Sequence, residues 1–152
     1  MRCLMICLIL ALSLTGPASA GEVFRVGSIE IESPWARASI GTTRPAAAYF
    51  TIRNMGTDPD RLMAVANPSA GMVRIHRTTH EGGVMRMSPA GPIEIPPGQS
   101  VTLKPGGLHV MMMKLSSALR KGEMTELELT FERAGKIKVP APIFSLGATG
   151  PK

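Results

Sequence analysis

Cysteine is almost missing from this chain. There are two, Cys3 and Cys7, and both lie in the opening stretch "MRCLMICLILALSLTGPASA". Arg2, the apolar run Leu4 to Leu14 and the small residues Ala18-Ser19-Ala20 mark residues 1–20 as a secretory signal peptide, with cleavage expected after Ala20. Cys7 sits inside the apolar run rather than after it, which argues against a lipid anchor. The mature chain then carries no thiol. That excludes a disulfide, a thiolate metal ligand, a cysteine nucleophile and a blue-copper centre, which needs a cysteine. No later run is long and apolar enough to span a bilayer, so a soluble domain in the periplasm is expected.

Aromatic residues are scarce too, at 4% of the 152 residues. No aromatic–basic interleaving of the kind that grips nucleic acid is present, and export itself argues against such a partner. Enzyme signatures are also absent. There is no Gly-x-Ser-x-Gly, no His-Glu-x-x-His and no phosphate loop, and "HEGG" at His80 lacks the second histidine a zinc protease needs. The chain reads as a non-enzyme. Its net charge of +6 falls to +5 once Arg2 leaves with the signal. Such a surface is either plainly solvated or steers towards an acidic protein or an anionic membrane.

What is present reads as β throughout. "VFRVGSIEIE", "AAAYFTIRN", "VTLK", "LELTFE" and "KIKVPAPIF" follow a period of two, with Leu127, Leu129 and Phe131 on one face and Glu128, Thr130 and Glu132 on the other. "NMGTDPD", "NPSAG", "EGG", "PPGQ", "KPGG", "KGE" and "RAGK" supply turns between them. "SSALRKGE" is expected to form one helical turn. Short strands with this punctuation predict a single all-β domain, a sandwich or Greek-key barrel over residues 21–146, and a flexible tail over 147–152.

The chemistry is concentrated in one window. All three histidines, His76, His80 and His109, fall between positions 72 and 113, as do Met72, Met85, Met87, Met111, Met112 and Met113. In "GGLHVMMMKL", strand alternation puts His109, Met111 and Met113 on one face, with Val110 and Met112 on the other. The same rule groups Met85 with Met87, and Met72 with Arg74 and His76. Met112 is expected in the core. Methionine also fills cores, so Met55, Met63 and Met124 are expected there too. Two imidazoles and two thioethers make a neutral, soft donor set that selects Cu(I) over harder divalent ions. No acid interrupts "LHVMMMKL", and a monovalent ion needs none.

The spacing of His76, ten residues, Met87, twenty-one residues, His109, one residue, Met111 resembles the copper motif of the periplasmic copper chaperone PCu(A)C family, formerly a domain of unknown function. The flanking phrases "SPWARAS", "DRLMAVANPSA", "GGVMRM", "IEIPPGQSVTLKPGGLHVMMMKL" and "KGEMTELELTFERAGKIKVPAP" resemble it in order along nearly the whole mature chain. The resemblance implies a cupredoxin-like Greek-key barrel that binds one Cu(I) through His76, Met87, His109 and Met111; a monomer is the default expectation. It further implies delivery to the copper-bearing subunit of cytochrome c oxidase; a thiol-reducing assembly factor is a further candidate partner, which the sequence does not name. Two departures stand out. Arg77 occupies a position where relatives carry methionine or glutamate, and the chain lacks the His/Met-rich C-terminal extension associated with Cu(II). His80 lies outside the motif, and Met85 is the more credible substitute ligand. A copper storage or resistance protein using the same site, and a structural β-domain with incidental methionines, are the rival readings.

Overall fold

The computed structural model describes residues 22–151. The expected signal peptide, with Cys3 and Cys7, lies outside the described residues, as do Gly21 and Lys152. Eleven strands follow in order: β1 (Val23–Val26), β2 (Ile29–Arg37), β3 (Ala46–Asn54), β4 (Asp60–Ala66), β5 (Ala70–Glu81), β6 (Val84–Pro89), β7 (Ile93–Ile95), β8 (Ser100–Leu103), β9 (Leu108–Leu115), β10 (Met124–Phe131) and β11 (Lys136–Phe144). There is no helix among the described residues. "SSALRKGE" is no exception, because the backbone of Leu119 pairs with Ser39 in both directions, its carbonyl accepting from Ser39 N and its N–H donating to Ser39 Oγ. The expected helical turn is an extended crossing with a turn at Lys121–Gly122.

The strands hydrogen-bond in the order β6-β5-β9-β3-β2-β11-β10-β4-β7, with β1 on β2 and β8 on β3. All pairs are antiparallel except β11 with β2, joined through Ile143–Ala36 and Phe144–Arg37. Sequence neighbours such as β3 and β4 therefore sit far apart in the ladder, as in a cupredoxin-like Greek key. Two faces close on one apolar core. Ile29 and Ile31 from β2, Phe50 and Ile52 from β3, Val110 and Met112 from β9, and Leu127 and Leu129 from β10 are buried in it. Each such side chain contributes roughly 1.5–3 kcal/mol relative to exposure.

Period-two patterning explains most of this burial, and one bulge explains the rest. Between Glu32, opposite Thr51, and Trp35, opposite Tyr49, β2 holds an extra residue. Ser33 takes a φ of 49° there. The shift in parity sends Ala36 into the core and Trp35 to the outer face. There Trp35 stacks on Tyr49 with centroids 4.4 Å apart and meets the edge of Phe144 at 6.1 Å. Arg37 covers the Tyr49 ring at 5.5 Å, and its Nε donates to the carbonyl of Ala148.

The methionines divide unevenly. Met112 is fully buried, as expected from its parity with Val110. Met55, Met63 and Met124 are exposed rather than in the core. Met55 follows the last residue of β3 into a turn, while Met63 and Met124 alternate with the inward-facing Leu62 and Thr125.

Candidate metal centre

Three strands at one end of the ladder, β6, β5 and β9, carry the candidate residues on their outer face. Gly82 and Gly83 join β5 to β6 with φ values of 58° and 79°, the two-residue turn that requires positive φ at both positions. That turn fixes the pairing of His80 with Met85, Thr78 with Met87 and His76 with Pro89. On the other side of β5, His76 pairs with His109, Arg74 with Met111 and Met72 with Met113. Opposed residues in an antiparallel ladder share a face, so all of these side chains project from one surface.

His76 is the hub. Its direct cross-strand partner is His109, with ring centroids 6.0 Å apart and planes at 75°. Met111 and Met87 are its two diagonal neighbours, one on each flanking strand. Diagonal neighbours lie about 7–8 Å apart, within reach of a long side chain. Met85, Met72 and Met113 are a further two residues along the strands, about 14 Å from the histidine pair at the ordinary strand rise. The structure thus brings His76 and His109 face to face, with Met87 and Met111 nearest among the methionines. His80 and Met85 stand apart from that group, at the hairpin tip.

The two imidazoles are prepared differently. His109 is only 5% exposed, and its Nδ1 lies 3.0 Å from the carbonyl of Gly107. A carbonyl can only accept, so the proton sits on Nδ1 and the Nε2 lone pair is left for a ligand. The same carbonyl accepts from Thr78 N at 3.1 Å, tying the start of β9 to β5. His76 has a buried Nδ1 with no hydrogen-bond partner. Leaving such an atom unpaired costs about 1–3 kcal/mol, so a ligand there is favoured. Burial lowers the His76 pKa below the usual histidine value, and the neighbouring His109 and Arg74 lower it further. All three effects favour the neutral ring, the form a metal ligand must have.

The donor set is soft. Among the described residues no three His, Cys, Asp or Glu side chains gather where they would hold a metal ion. A cation taken here relies on thioether as well as imidazole, which suits a monovalent soft ion and not zinc or calcium. The surface is also open. Met87 is 53% exposed, and every residue of β6 is exposed. One groove is lined by Met63, Val73, Arg74, Pro89 and Pro92. It contains neither histidine.

Arg74, which pairs with Met111, has the site as its neighbour. Arg77 pairs with Ser88 and Leu108 and alternates onto the opposite face of β5, so its departure from the motif puts no charge among the ligand candidates. Sequence reasoning missed Arg74 as a site residue, although its parity with His76 was the signal. Gly107 acts through its carbonyl, which no residue pattern announces. The seven ion pairs of the described residues all lie outside β5, β6 and β9. Those three strands hold Arg74, Arg77, Arg86 and Lys114 against one acid, Glu81.

Comparison with known proteins shows what the whole chain is similar to. Residues 29–143 match the family described as "Putative lipoprotein LpqE-like". "Putative lipoprotein Lxx21020" of Leifsonia xyli subsp. xyli is 28% identical over 140 residues, covering 87% of this chain and 82% of that protein. The copper-bound PCuAC domain from PmoF2 is 31% identical with a TM-score of 0.68, over 82% of this chain and 98% of that one. The solution structure of CuI-DR1885 from Deinococcus radiodurans is 28% identical with a TM-score of 0.58, over 81% of this chain and 80% of that one. With most of its β-domain matched in sequence and in fold, the chain belongs to the LpqE-like family and its domain is of the PCuAC type.

Proposed function

We propose that this protein is an exported copper metallochaperone that carries one Cu(I) per chain on His76, Met87, His109 and Met111. The observation that carries the reading is the position of His76, opposite His109 and diagonal to both Met87 and Met111, in a set with no carboxylate and no thiol. Similar domains described as copper-bound and as CuI forms support the choice of metal. Export is supported by the leader and by relatives named as lipoproteins.

The residues divide the labour of holding and releasing. Gly107 engages Nδ1 of His109 and leaves Nε2 for the ion, and His76 offers a nitrogen that nothing else satisfies. Met111, half-buried on β9, is the firmer thioether. Met87, on the exposed outermost strand, is the looser one and the first to let go. Thioethers are weaker donors than thiolates, so a recipient with cysteine ligands takes the ion by stepwise exchange at this open edge. The copper-bearing subunit of cytochrome c oxidase is such a recipient, with a thiol-reducing assembly factor keeping its cysteines available, and the chaperone acts as a monomer. An open surface suits transfer better than the storage or resistance role.

X-ray absorption on the copper-loaded protein tests the site. Two nitrogen and two sulfur neighbours per copper are expected, and an all-nitrogen or oxygen-rich shell would remove the reading. Deleting the gene should lower oxidase activity when copper is limiting. A phenotype confined to copper excess would instead favour storage or resistance.

A further inference from the structure

We propose that His80 and Met85 form a second, weaker Cu(I) site at the tip of the β5–β6 hairpin, where the ion is captured before it passes over Met87 to the central residues. The inference rests on the copper reading above. Its basis is the direct pairing of His80 with Met85, one imidazole opposite one thioether on the same face as His76 and Met87. Residues opposed in this way hold their Cβ atoms about 4.5–5.5 Å apart, a separation two side chains can bridge through one ion. Cu(I) accepts two-coordinate geometry, so the pair suffices without further ligands.

Three features argue that these side chains have no packing role. Met85 is 67% exposed, so it fills no core, unlike Met112. The tip stands clear of the molecule, since a side chain built at Gly82 or Gly83 would meet nothing within 4 Å. The turn is tight and its register fixed, so His80 and Met85 are held opposite each other rather than left on a loose loop. Met87 lies between tip and centre. The levels His80–Met85, Thr78–Met87 and His76–His109 succeed one another every two residues, about 7 Å apart. An ion moving along them keeps a soft donor in reach at each step and needs no change of oxidation state. The opposite end of the face offers Met72 and Met113, but these are two partly buried thioethers with no imidazole.

Anaerobic titration of the purified protein with Cu(I) against a chromophoric competitor tests this, with methionine methyl and histidine resonances followed by NMR. Two equivalents are expected, the weaker one shifting Met85 and His80. The double variant His80→Ala, Met85→Leu should lose the weaker equivalent, keep the tighter one within about twofold, and fill it several-fold more slowly. His109→Ala should do the reverse, weakening the tighter equivalent and leaving the tip's. A wild-type protein that takes one equivalent only, or a double variant that still takes two, overturns the tip site while leaving the central one standing. A His109→Ala protein that still binds tightly while the double variant does not would sink the central assignment instead. Both tip positions are exposed, so an unchanged melting temperature is expected for the double variant.

Discussion

The carbonyl of Gly107 fixes which nitrogen His109 offers, by accepting a 3.0 Å hydrogen bond from Nδ1–H. The expected outcome is an apo protein in which His109 is the Nδ1–H tautomer. Nitrogen–proton correlation NMR of the imidazoles reads this directly. Loading with Cu(I) should move the Nε2 resonance and leave the Nδ1 proton in place. The opposite tautomer in the apo state would mean that Gly107 does not prepare this ligand.

Met111 and Met112 are neighbours with opposite duties. Met112 is fully buried among core residues, whereas Met111 lies on the outer face diagonal to His76. Met112→Ala should cost about 2–5 kcal/mol of stability and leave the donor set intact. Met111→Leu should change stability by less than about 1 kcal/mol, since the swap conserves volume at a half-exposed position. Its effect belongs on Cu(I) affinity, with a loss of at least about tenfold, the lower end of what an outer-shell change costs a metal site. Denaturation curves and competitive titrations on the two variants separate the roles. Equal effects of both substitutions on both measurements would contradict the assignment of faces.

Much of this was legible in the residues because strand alternation is strict. "LHVMMMKL" sorts itself into Val110 and Met112 inward and His109, Met111 and Met113 outward without any structure. The same rule puts Met124 outside, opposite in parity to Leu127 and Leu129, and treating it as core neglected that parity. What alternation does not give is register between strands distant in sequence. That His109 faces His76, and not Arg74 or Thr78, depends on pairing between β5 and β9 that only the assembled ladder fixes. The Ser33 bulge is hidden for a related reason, since one extra residue reverses every later face. The four ligand candidates entered through a family spacing, and the ladder shows what that spacing does to the register: it places both methionines on the diagonals of one histidine.

Acid should release the cargo, and Arg74 should set where. Desolvation, then His109, then Arg74 hold the His76 pKa below its ordinary value of about 6.5. The ring is therefore mostly neutral at pH 6.5, and protons compete with copper at His76 mainly below that. Affinity is expected to be level above this pH and to fall beneath it. Stability of the apo fold has the same sign. The unfolded chain binds the proton first as pH drops, so the contribution present above about 6.5 is lost as pH falls through the folded value. Replacing Arg74 with Gln removes one of the charges that disfavour the imidazolium, so the affinity decline should begin at a higher pH. NMR titration of His76 in both proteins checks this, and an apo His76 that protonates at or above 6.5 would refute it.

None of the seven ion pairs of the described residues involves the strands that carry the candidate site. β5, β6 and β9 present Arg74, Arg77, Arg86 and Lys114, none of them in an ion pair among the described residues. A field of one sign beside a transfer site accelerates encounter with an acidic surface, and salt suppresses it. The screening length drops from about 30 Å at 0.01 M to about 8 Å at 0.15 M, so the rate of Cu(I) transfer to the oxidase copper subunit should fall several-fold over that range. Arg77→Gln with Arg86→Gln should flatten the salt dependence. Both residues alternate to the face away from His76, so Cu(I) affinity should stay within about twofold. Stopped-flow transfer at several ionic strengths reads the first effect and competitive titration the second. A transfer rate indifferent to both salt and the paired substitutions would reduce these four bases to a solvated face with no part in choosing the recipient.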